Sequence, residues 1–356
     1  MKITDVSLIL FNLKIPTWKI PAWTAGGGTG LSSSRRLGVV TVHTDEGVDG
    51  HCFLGSPLHD GDTLAGPMME RLKPVLIGED PFRTTALWSA MWRHNRFVSA
   101  RAIGALDVAL WDLKGKALGQ PIHRLIGTCR DSVPAYPSSA CLETPQDYAE
   151  EAFHFQSRGF TAYKIHPHGK PGEDVEICRA VRKAVGDRMA LMLDSMWAYG
   201  YEDALRVGRA IEELGFLWYE DPLHETDIYN YLKLHSKLDI PLVATEYAPG
   251  GYYGMTQWIT QQATDMLRGD VAVTGGITPL LRLTHLADAF RMKCEIHHGG
   301  NSLNNAANLH VMLAIDNCDY YELFPASGAN KYGLVADIEV DDAGLIHAPV
   351  KSGLGF

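Results

Sequence analysis

The chain has 356 residues, of which 46% are hydrophobic and 21% are charged. This length exceeds one typical domain, and the composition excludes both a disordered chain and a membrane-embedded one. Lys and Arg number 32 against 42 Asp and Glu, which gives a net charge of -10 with neutral histidines. Because nucleic-acid binding relies on clustered basic side chains, this balance argues against nucleic acid as a partner.

Cysteine spacing and the N-terminus bear on the cellular compartment. The six cysteines are scattered without a Cys-x-x-Cys pair, so neither a zinc site nor a redox motif is predicted. The apolar stretch at residues 6–11 is too short for a membrane span and lacks a cleavage pattern. We therefore expect unpaired buried thiols, no membrane association and a cytoplasmic location.

The first third of the chain predicts strands followed by helices. Residues 39–44 and 48–53 are β-rich runs on either side of Asp45-Glu46-Gly47, which is typical of a hairpin. Apolar residues then recur at helical spacing between Ala102 and Leu113, before the glycine and proline of residues 119–121 end the helix. This part of the sequence therefore favours a small α+β lobe.

From about residue 132 the sequence alternates short apolar runs with amphipathic helices. Eight runs are predicted as strands, at residues 133–136, 161–165, 190–193, 217–219, 242–244, 271–273, 294–296 and 320–321. Eight strand-helix repeats over this length favour a closed α/β barrel over an open sheet. The predicted domains are a cap at 1–125, a barrel at 126–325 and a C-terminal segment at 326–356 that returns to the cap with strands at 335–340 and 345–347.

Polar or charged residues follow nearly every predicted barrel strand, roughly one βα unit apart. They are Lys164 with His166, Asp194, Glu220, Glu246, Asp270, His297 and Glu322. Because the carboxyl ends of barrel strands share one mouth, we expect a single site there. Asp194, Glu220 and Glu246 would repel one another unless a cation neutralised them, and three oxygen ligands favour Mg²⁺ over Zn²⁺. Asp221 and Glu225 are expected at the surface or behind these ligands.

Bases flank the three carboxylates. Lys164 precedes them in the chain, and His297 follows them. Asp270, one strand before His297, could hold one imidazole nitrogen and raise the basicity of the other. The alternative is that each acid pairs with a Lys or Arg at a helix end and that His297 is a packing residue. Three acids in register on adjacent strands make that alternative less favoured.

In this order the residues resemble the enolase superfamily, in its mandelate racemase subgroup. The resemblance runs from residues 1–4 through 105–116, the site residues above, Glu220-Asp221-Pro222 and 275–278, to Gly353-Leu354-Gly355. It implies a modified (β/α)7β TIM barrel with an α+β capping domain. It also implies three carboxylate ligands to one Mg²⁺ and abstraction of the proton α to a substrate carboxylate through an enediolate.

The resemblance further implies roles for the remaining residues. Lys164 would support the substrate carboxylate, Asp270 and His297 would form the basic pair, and a protonated Glu322 would donate a hydrogen bond to the intermediate. A strand-end ion pair is the alternative for Glu322. The subgroup usually has Lys-x-Lys where this chain has Lys164-Ile165-His166, so His166 is either a second base or a group that only binds substrate. Members of the family often have Asn or His two residues after the first metal ligand, where this chain has Met196. The substrate specificity of a known member is therefore not expected to apply directly to this chain.

The leading functional prediction is dehydration of a sugar acid to a 2-keto-3-deoxy acid by a homo-oligomeric enzyme. Five polar residues expected near the mouth suit a polyhydroxylated ligand, namely His166, His168, Asn301, Asn304 and Asn305. Cap segments 18–30, with Trp23, and 54–56 are expected to close over the mouth and select this small-molecule carboxylate.

Three alternatives remain. A racemase or epimerase of a 2-hydroxy acid would use the same residues with two bases. A metal-dependent hydrolase would use His166-Pro167-His168 with His297 and His298, but it gives the three carboxylates no role. A non-catalytic binding protein would need none of these groups.

Overall fold

The N-terminal lobe consists of an antiparallel sheet and the helices that pack on it. The computed structural model describes residues 1–14, 34–325 and 331–356, so the predicted cap segment 18–30 lies outside the described residues. The elements of this lobe are β1 Ile3–Lys14, β2 Ser34–Thr44, β3 Gly50–Leu54, α1 Gly61–Arg71, α2 Lys73–Leu76, α3 Thr84–Trp92, α4 Ala100–Ala117 and α5 Ile122–Ile126. Strand β2 is central and pairs with β1 and β3, which confirms the predicted hairpin.

Helix α4 lies between this sheet and the rest of the molecule, and most of its residues are buried. On one side, a β-carbon at Gly50 would fall 2.0 Å from the carbonyl oxygen of Ala109. On the other, a β-carbon at Gly104 would fall 2.4 Å from the carbonyl oxygen of Val271. Since any larger side chain would clash with backbone at both places, Gly50 allows α4 to pack closely on the sheet of its own lobe, and Gly104 allows the barrel lobe to approach α4.

Two buried aspartates of α4 bind the segments around it. Asp107 accepts hydrogen bonds from the backbone N–H and the hydroxyl of Thr278, at 2.9 and 2.7 Å. Asp112 accepts from the backbone N–H groups of His51 and Leu354, both at 2.9 Å. These bonds offset the loss of hydration that burial imposes on each carboxylate. The helix thereby links the barrel, the N-terminal sheet and the C-terminus.

The second lobe is the predicted barrel. Its elements are β4 Ser132–Pro137, α6 Pro145–Ser157, β5 Ala162–Ile165, α7 Pro171–Val185, β6 Ala190–Asp194, α8 Tyr201–Glu213, β7 Trp218–Glu220, α9 Ile228–His235, β8 Leu242–Ala244, α10 Gly251–Thr260, β9 Met266–Gly269, α11 Val271–Thr274, α12 Ile277–Ala289, β10 Lys293–Ile296, α13 Ser302–Met312, β11 Tyr321–Leu323 and β12 Leu345–His347. Strands β5 to β10 form one parallel sheet in chain order, and β4 pairs in parallel with β11. A bridge between Ser138 and Lys164 joins β4 to β5, so the strands follow one another around the curled sheet.

Seven of the eight predicted barrel strands overlap observed ones, and the sixth is wrong. Residues 271–273 belong to helix α11, and the strand is β9, which ends one residue before Asp270. Asp270 is the N-cap of α11, where its Oδ1 accepts from the N–H groups of Ala272 and Val273 at 2.5 and 2.9 Å. Satisfying these N–H groups stabilises a helix start and overrides the β-propensity of the valines.

The C-terminal segment contacts both lobes. Strand β12 pairs antiparallel with β4, with Ile346 opposite Val133. Further on, Gly353 forms a bridge with Pro121 beside helix α5. The predicted strand at 335–340 is wrong, since no strand is present there. The three domain boundaries stay predictions.

None of the six cysteines forms a disulfide, as predicted, although Cys129 is exposed and Cys141 is only partly buried. Among the residues that the structure describes, no helix has the length and apolar character needed to cross a bilayer.

Candidate active site

The barrel places the predicted site residues at the carboxyl ends of its strands. Because parallel strands present these ends to one face, their side chains meet. Lys164, Asp194, Glu220 and Glu322 lie within strands β5, β6, β7 and β11, whereas His166, Glu246, Asp270 and His297 follow β5, β8, β9 and β10.

Lys164 is the centre of an ion-pair network. Its side chain is fully buried, and Nζ lies 3.0 Å from Oδ2 of Asp194, 3.1 Å from Oε1 of Glu220 and 2.8 Å from Oε1 of Glu322. Burial and the charge of Arg268 oppose protonation, yet Glu220 and Glu322 raise the pKa of Lys164 well above its usual value. The side chain is therefore a fixed positive charge within the carboxylate ring.

Arg268 is a second buried cation, which sequence reasoning missed. Its Nε lies 2.7 Å from Oε1 of Glu220, and its Nη2 lies 2.6 Å from Oε2 of Glu322. The same Nη2 donates to the hydroxyl of Tyr136 at 2.9 Å. The sequence does contain an indication of this role, because Arg268 is the one charged residue in the short strand before Asp270. Side chains alternate between the two faces of a strand, so an arginine at this position can point into the barrel.

Glu322 accepts from cations through both of its oxygens. Oε1 faces Lys164 and Oε2 faces Arg268, while the backbone N–H of His298 donates to Oε2 at 3.3 Å. Burial alone would raise the pKa of Glu322, but the charges of Lys164 and Arg268 lower it well below its usual value. This arrangement favours the carboxylate form and matches the alternative of a strand-end ion pair, while the role of Glu322 as a hydrogen-bond donor stays a prediction.

His166 contacts an acid that was predicted to bind the metal. Its Nε2 lies 2.9 Å from Oδ2 of Asp194, and its Nδ1 lies 2.7 Å from the carbonyl oxygen of Ser139. Both ring nitrogens thus face oxygens that accept hydrogen bonds. The contacts position the ring beside the carboxylates, and its role as a base or a binding group stays a prediction.

His297 and Asp270 form the predicted pair. Nδ1 of His297 lies 2.6 Å from Oδ2 of Asp270. Oδ1 of Asp270 caps helix α11, which holds the carboxylate in place, and the carboxylate in turn orients the His297 ring. Nε2 of His297 lies 3.2 Å from Oε1 of Glu246. Burial lowers the pKa of His297, but the charge of Glu246 and the bond to Asp270 raise it to about 9. A histidine held in this way presents Nε2 for proton transfer.

The three predicted metal ligands contact basic side chains of the chain itself. Within the described ranges, no group of three His, Cys, Asp or Glu residues has the geometry to hold a metal ion. Asp194 and Glu220 contact Lys164 instead, and Glu246 contacts His297. Metal binding by these residues stays a prediction.

The chemistry of this donor set nevertheless fits a hard divalent cation. Asp221 and Glu225 are buried, and among the residues that the structure describes, Oδ1 of Asp221 and Oε1 of Glu225 find no hydrogen-bond partner. Burial and the charge of Glu246 raise the pKa of Glu225 to about 8. Burial and the charge of Glu225 also raise the pKa of Asp221 well above its usual value. Buried carboxylate oxygens without a hydrogen-bond partner indicate that the basic side chains around them do not balance all of the negative charge. A bound cation would supply the missing positive charge.

Two of the four histidines of the hydrolase alternative, His168 and His298, contact neighbouring segments of the chain. Nε2 of His168 lies 2.7 Å from the carbonyl oxygen of Leu142. The ring of His298 accepts from the N–H of Gly300 at 3.2 Å and contacts the Asn305 amide at 3.0 Å. These placements give that alternative no support.

The asparagines expected to bind a sugar are almost completely buried and bond to protein. Asn301 caps helix α13 and donates to the carbonyl oxygen of Gly55 at 2.9 Å. Asn304 accepts from the Cys52 thiol at 3.2 Å. These contacts hold cap segment 54–56 against the barrel loop that follows His297, and they remove one argument for a polyhydroxylated ligand.

Two family models match the chain. Residues 14–127 match the mandelate racemase / muconate lactonizing enzyme N-terminal domain, and residues 147–356 match the enolase C-terminal domain-like family. The match to both lobes agrees with the family and the fold that the sequence predicts.

Three similar proteins show the range of activities. Arabinonate dehydratase of Saccharolobus solfataricus is 27% identical over 86% of this chain and 85% of its own. N-succinyl-L-Arg/Lys racemase of Bacillus cereus is 28% identical over 88% and 85%. The crystal structure of D-glucarate dehydratase from Agrobacterium tumefaciens complexed with magnesium is 35% identical, with a TM-score of 0.87 over 100% of this chain and 96% of that one.

Proposed function

Since this chain belongs to the enolase superfamily, in the branch of mandelate racemase and muconate lactonizing enzyme, we propose that it is a Mg²⁺-dependent dehydratase of a sugar acid. The observation that carries the proposal is the His297–Asp270 pair at 2.6 Å, which faces a sector of buried carboxylates in one barrel mouth. The similar arabinonate and D-glucarate dehydratases support this reaction class. The product is a 2-keto-3-deoxy acid.

Asp194, Glu220 and Glu246 would hold the Mg²⁺, which supplies positive charge beside the substrate carboxylate where negative charge develops. Lys164 stays protonated and adds a second positive charge at that carboxylate. Glu322 contacts Lys164 directly, and Arg268 contacts both Glu322 and Glu220, so these residues fix the position of Lys164.

His297 moves the proton. Asp270 holds its Nδ1–H, so Nε2, once it has lost its own proton, accepts the α-proton as the substrate C–H bond breaks. The same nitrogen then returns this proton to the β-hydroxyl, which leaves as water when its C–O bond breaks. The resulting enol takes up a proton at carbon 3 and loses the proton of its hydroxyl group to become the 2-keto acid, so the net change is the loss of one water.

A racemase is the second candidate. It needs a base on each face of the α-carbon, and His166 would be the second one. Its contacts with Asp194 and Ser139 favour a binding role in a one-base dehydratase. The similarity to a racemase from Bacillus cereus supports the alternative.

The test is incubation of the protein with Mg²⁺ in D₂O and a panel of aldonic and aldaric acids, followed by proton NMR. The dehydratase proposal predicts that one acid loses its α-proton and its β-hydroxyl together. Deuterium at the α-carbon with every hydroxyl retained would establish the racemase instead. If no acid exchanges or loses water, both candidates fail.

The His297→Asn variant and its surface control, His235→Asn, make this test specific. His235 is partly exposed and pairs with Asp265 at 3.0 Å on the outer helix layer. Loss of turnover in the first variant and its retention in the second would assign the chemistry to the barrel mouth. The cytoplasmic location and the homo-oligomer stay predictions.

A further inference from the structure

Arg101 stands in an unfavourable place for a cation. It lies in the first turn of helix α4, two residues after the N-cap Ser99, where the helix dipole disfavours positive charge. Its Nη2 donates to the hydroxyl of Tyr247 at 3.1 Å, and its guanidinium lies 5.7 Å from the centre of that ring. Within the described part of the chain, no carboxylate forms an ion pair with Arg101.

The partner of Arg101 belongs to the rim of the candidate active site. Tyr247 directly follows Glu246, and its backbone N–H donates to Oε2 of Glu225 at 2.7 Å. The Tyr247 ring lies 5.6 Å from that of Trp197, which follows Asp194 by three residues. Arg101 therefore reaches from the cap lobe to the edge of the carboxylate sector.

His59, a second basic residue of the cap lobe, lies near the same edge. Its Nδ1 lies 3.4 Å from the hydroxyl of Ser56, in the segment that Asn301 holds against the barrel. Burial and the charge of Arg101 lower the pKa of His59 to about 4, while the charge of Asp270 opposes this effect. His59 thus lies within electrostatic reach of both Arg101 and the His297–Asp270 pair, and it offers a neutral hydrogen-bonding ring.

The other cap arginine in this area, Arg35, is already engaged. Its Nε donates to the carbonyl oxygen of Pro57 at 2.7 Å, and its Nη1 lies 3.4 Å from Oδ2 of Asp60. Arg101, in contrast, has guanidinium donors that no side chain in the described ranges engages beyond the Tyr247 contact, so it retains donors for a ligand. An arginine fork with free N–H groups beside a binding site matches the geometry of a carboxylate.

We propose that Arg101 binds a second carboxylate at the far end of the substrate, with the His59 ring beside it. The substrate class is then a dicarboxylic sugar acid, an aldarate, and not an aldonate. This inference rests on the proposed function, because the first carboxylate is the one activated in the barrel mouth. The two positive regions, Lys164 in the barrel and Arg101 in the cap, would bind the two ends of one chain-like dianion.

The experiment compares matched pairs of acids that share every stereocentre and differ only in a terminal carboxylate or hydroxymethyl group. For the wild-type protein, kcat/KM for the dehydrated aldarate should exceed that for its aldonate by about tenfold to 100-fold, which is the worth of one charged hydrogen-bonded contact. In Arg101→Gln this preference should vanish through a higher KM for the aldarate, while turnover of the aldonate stays within about threefold. Arg101→Lys should retain part of the preference, because it keeps the charge without the fork.

Arg96→Gln is the matched control, since Arg96 is an exposed cap arginine five residues away that contacts the Phe97 ring at 5.7 Å. It should keep the wild-type preference. Equal or better turnover of aldonates by the wild type would overturn the inference and leave the dehydratase proposal standing. An equal loss on both acids in Arg101→Gln would also overturn it, because the residue would then act on folding or on the common chemistry. Absence of turnover with every acid would defeat the proposed function itself.

Discussion

Replacing Arg268 by methionine tests whether the buried ion pairs hold the barrel mouth together. The arginine is fully buried and contacts Glu220 at 2.7 Å and Glu322 at 2.6 Å. Methionine fills much of the same space but removes the charge and the donors. Both carboxylates would keep Lys164 as a single shared cation.

The magnitude follows from what is left behind. Removing one partner of a buried ion pair costs about 3–5 kcal/mol, because the remaining charge is desolvated and unpaired. Since Lys164 still compensates part of the charge of both acids, we expect a loss near the lower end, about 3 kcal/mol. Glu220, a predicted metal ligand, should also become less well positioned, so kcat should fall in the same variant.

Urea unfolding followed by circular dichroism and tryptophan fluorescence measures the first effect. Arg206→Met is the matched control, because its partner Asp203 lies 3.3 Å away and the Arg206 side chain is 69% exposed. Exposed pairs contribute little, so this control should change the free energy of unfolding by less than about 1 kcal/mol. A change in Arg268→Met as small as that in the control would refute the structural role of the buried network.

Three further predictions concern catalysis, metal and pH. His297→Asn should lower kcat by about 10²–10⁴-fold, which is the usual contribution of a general base. The circular dichroism spectrum of this variant should be unchanged, and a wild-type kcat would contradict the role of His297. Mg²⁺ should raise the melting temperature of the wild type but not of Glu246→Gln, as measured by calorimetry, and equal shifts would argue against Glu246 as a ligand. Burial lowers the pKa of His310 to about 3, against an ordinary value of 6.5, so the unfolded chain binds the proton and stability should fall as the pH decreases below 6.5. His310→Gln should flatten this dependence in melting curves recorded between pH 8 and pH 5, and an unchanged slope would contradict the assignment.

The barrel and its ring of site residues could be predicted because both follow from patterns of neighbouring residues in the sequence. Strand-helix alternation gives the fold, and polar residues just after buried strands mark the mouth. Asp270 illustrates how one local competition was missed. The β-branched Val271 and Val273 favour a strand, but the capping contacts of the Asp270 carboxylate begin a helix.

The contacts within the site could not be predicted, because they depend on which side chains face one another across the barrel. Lys164 was expected beside the substrate, and the structure pairs it with three acids of three strands. Arg268 was missed because its partners, Glu220 and Glu322, are 48 and 54 residues away in the sequence. Arg101 was missed because Tyr247 belongs to the other lobe.

The most direct test of the account is whether α-proton removal depends on both the cation and the three carboxylates. Deuterium incorporation or water loss is followed by NMR in D₂O for the identified acid, first with the metal-stripped protein and then after Mg²⁺ is added. We expect no reaction without Mg²⁺, full recovery on its addition, and no recovery in Asp194→Asn, Glu220→Gln or Glu246→Gln. Reaction at the wild-type rate in the stripped protein, or in any of these three variants, would contradict it.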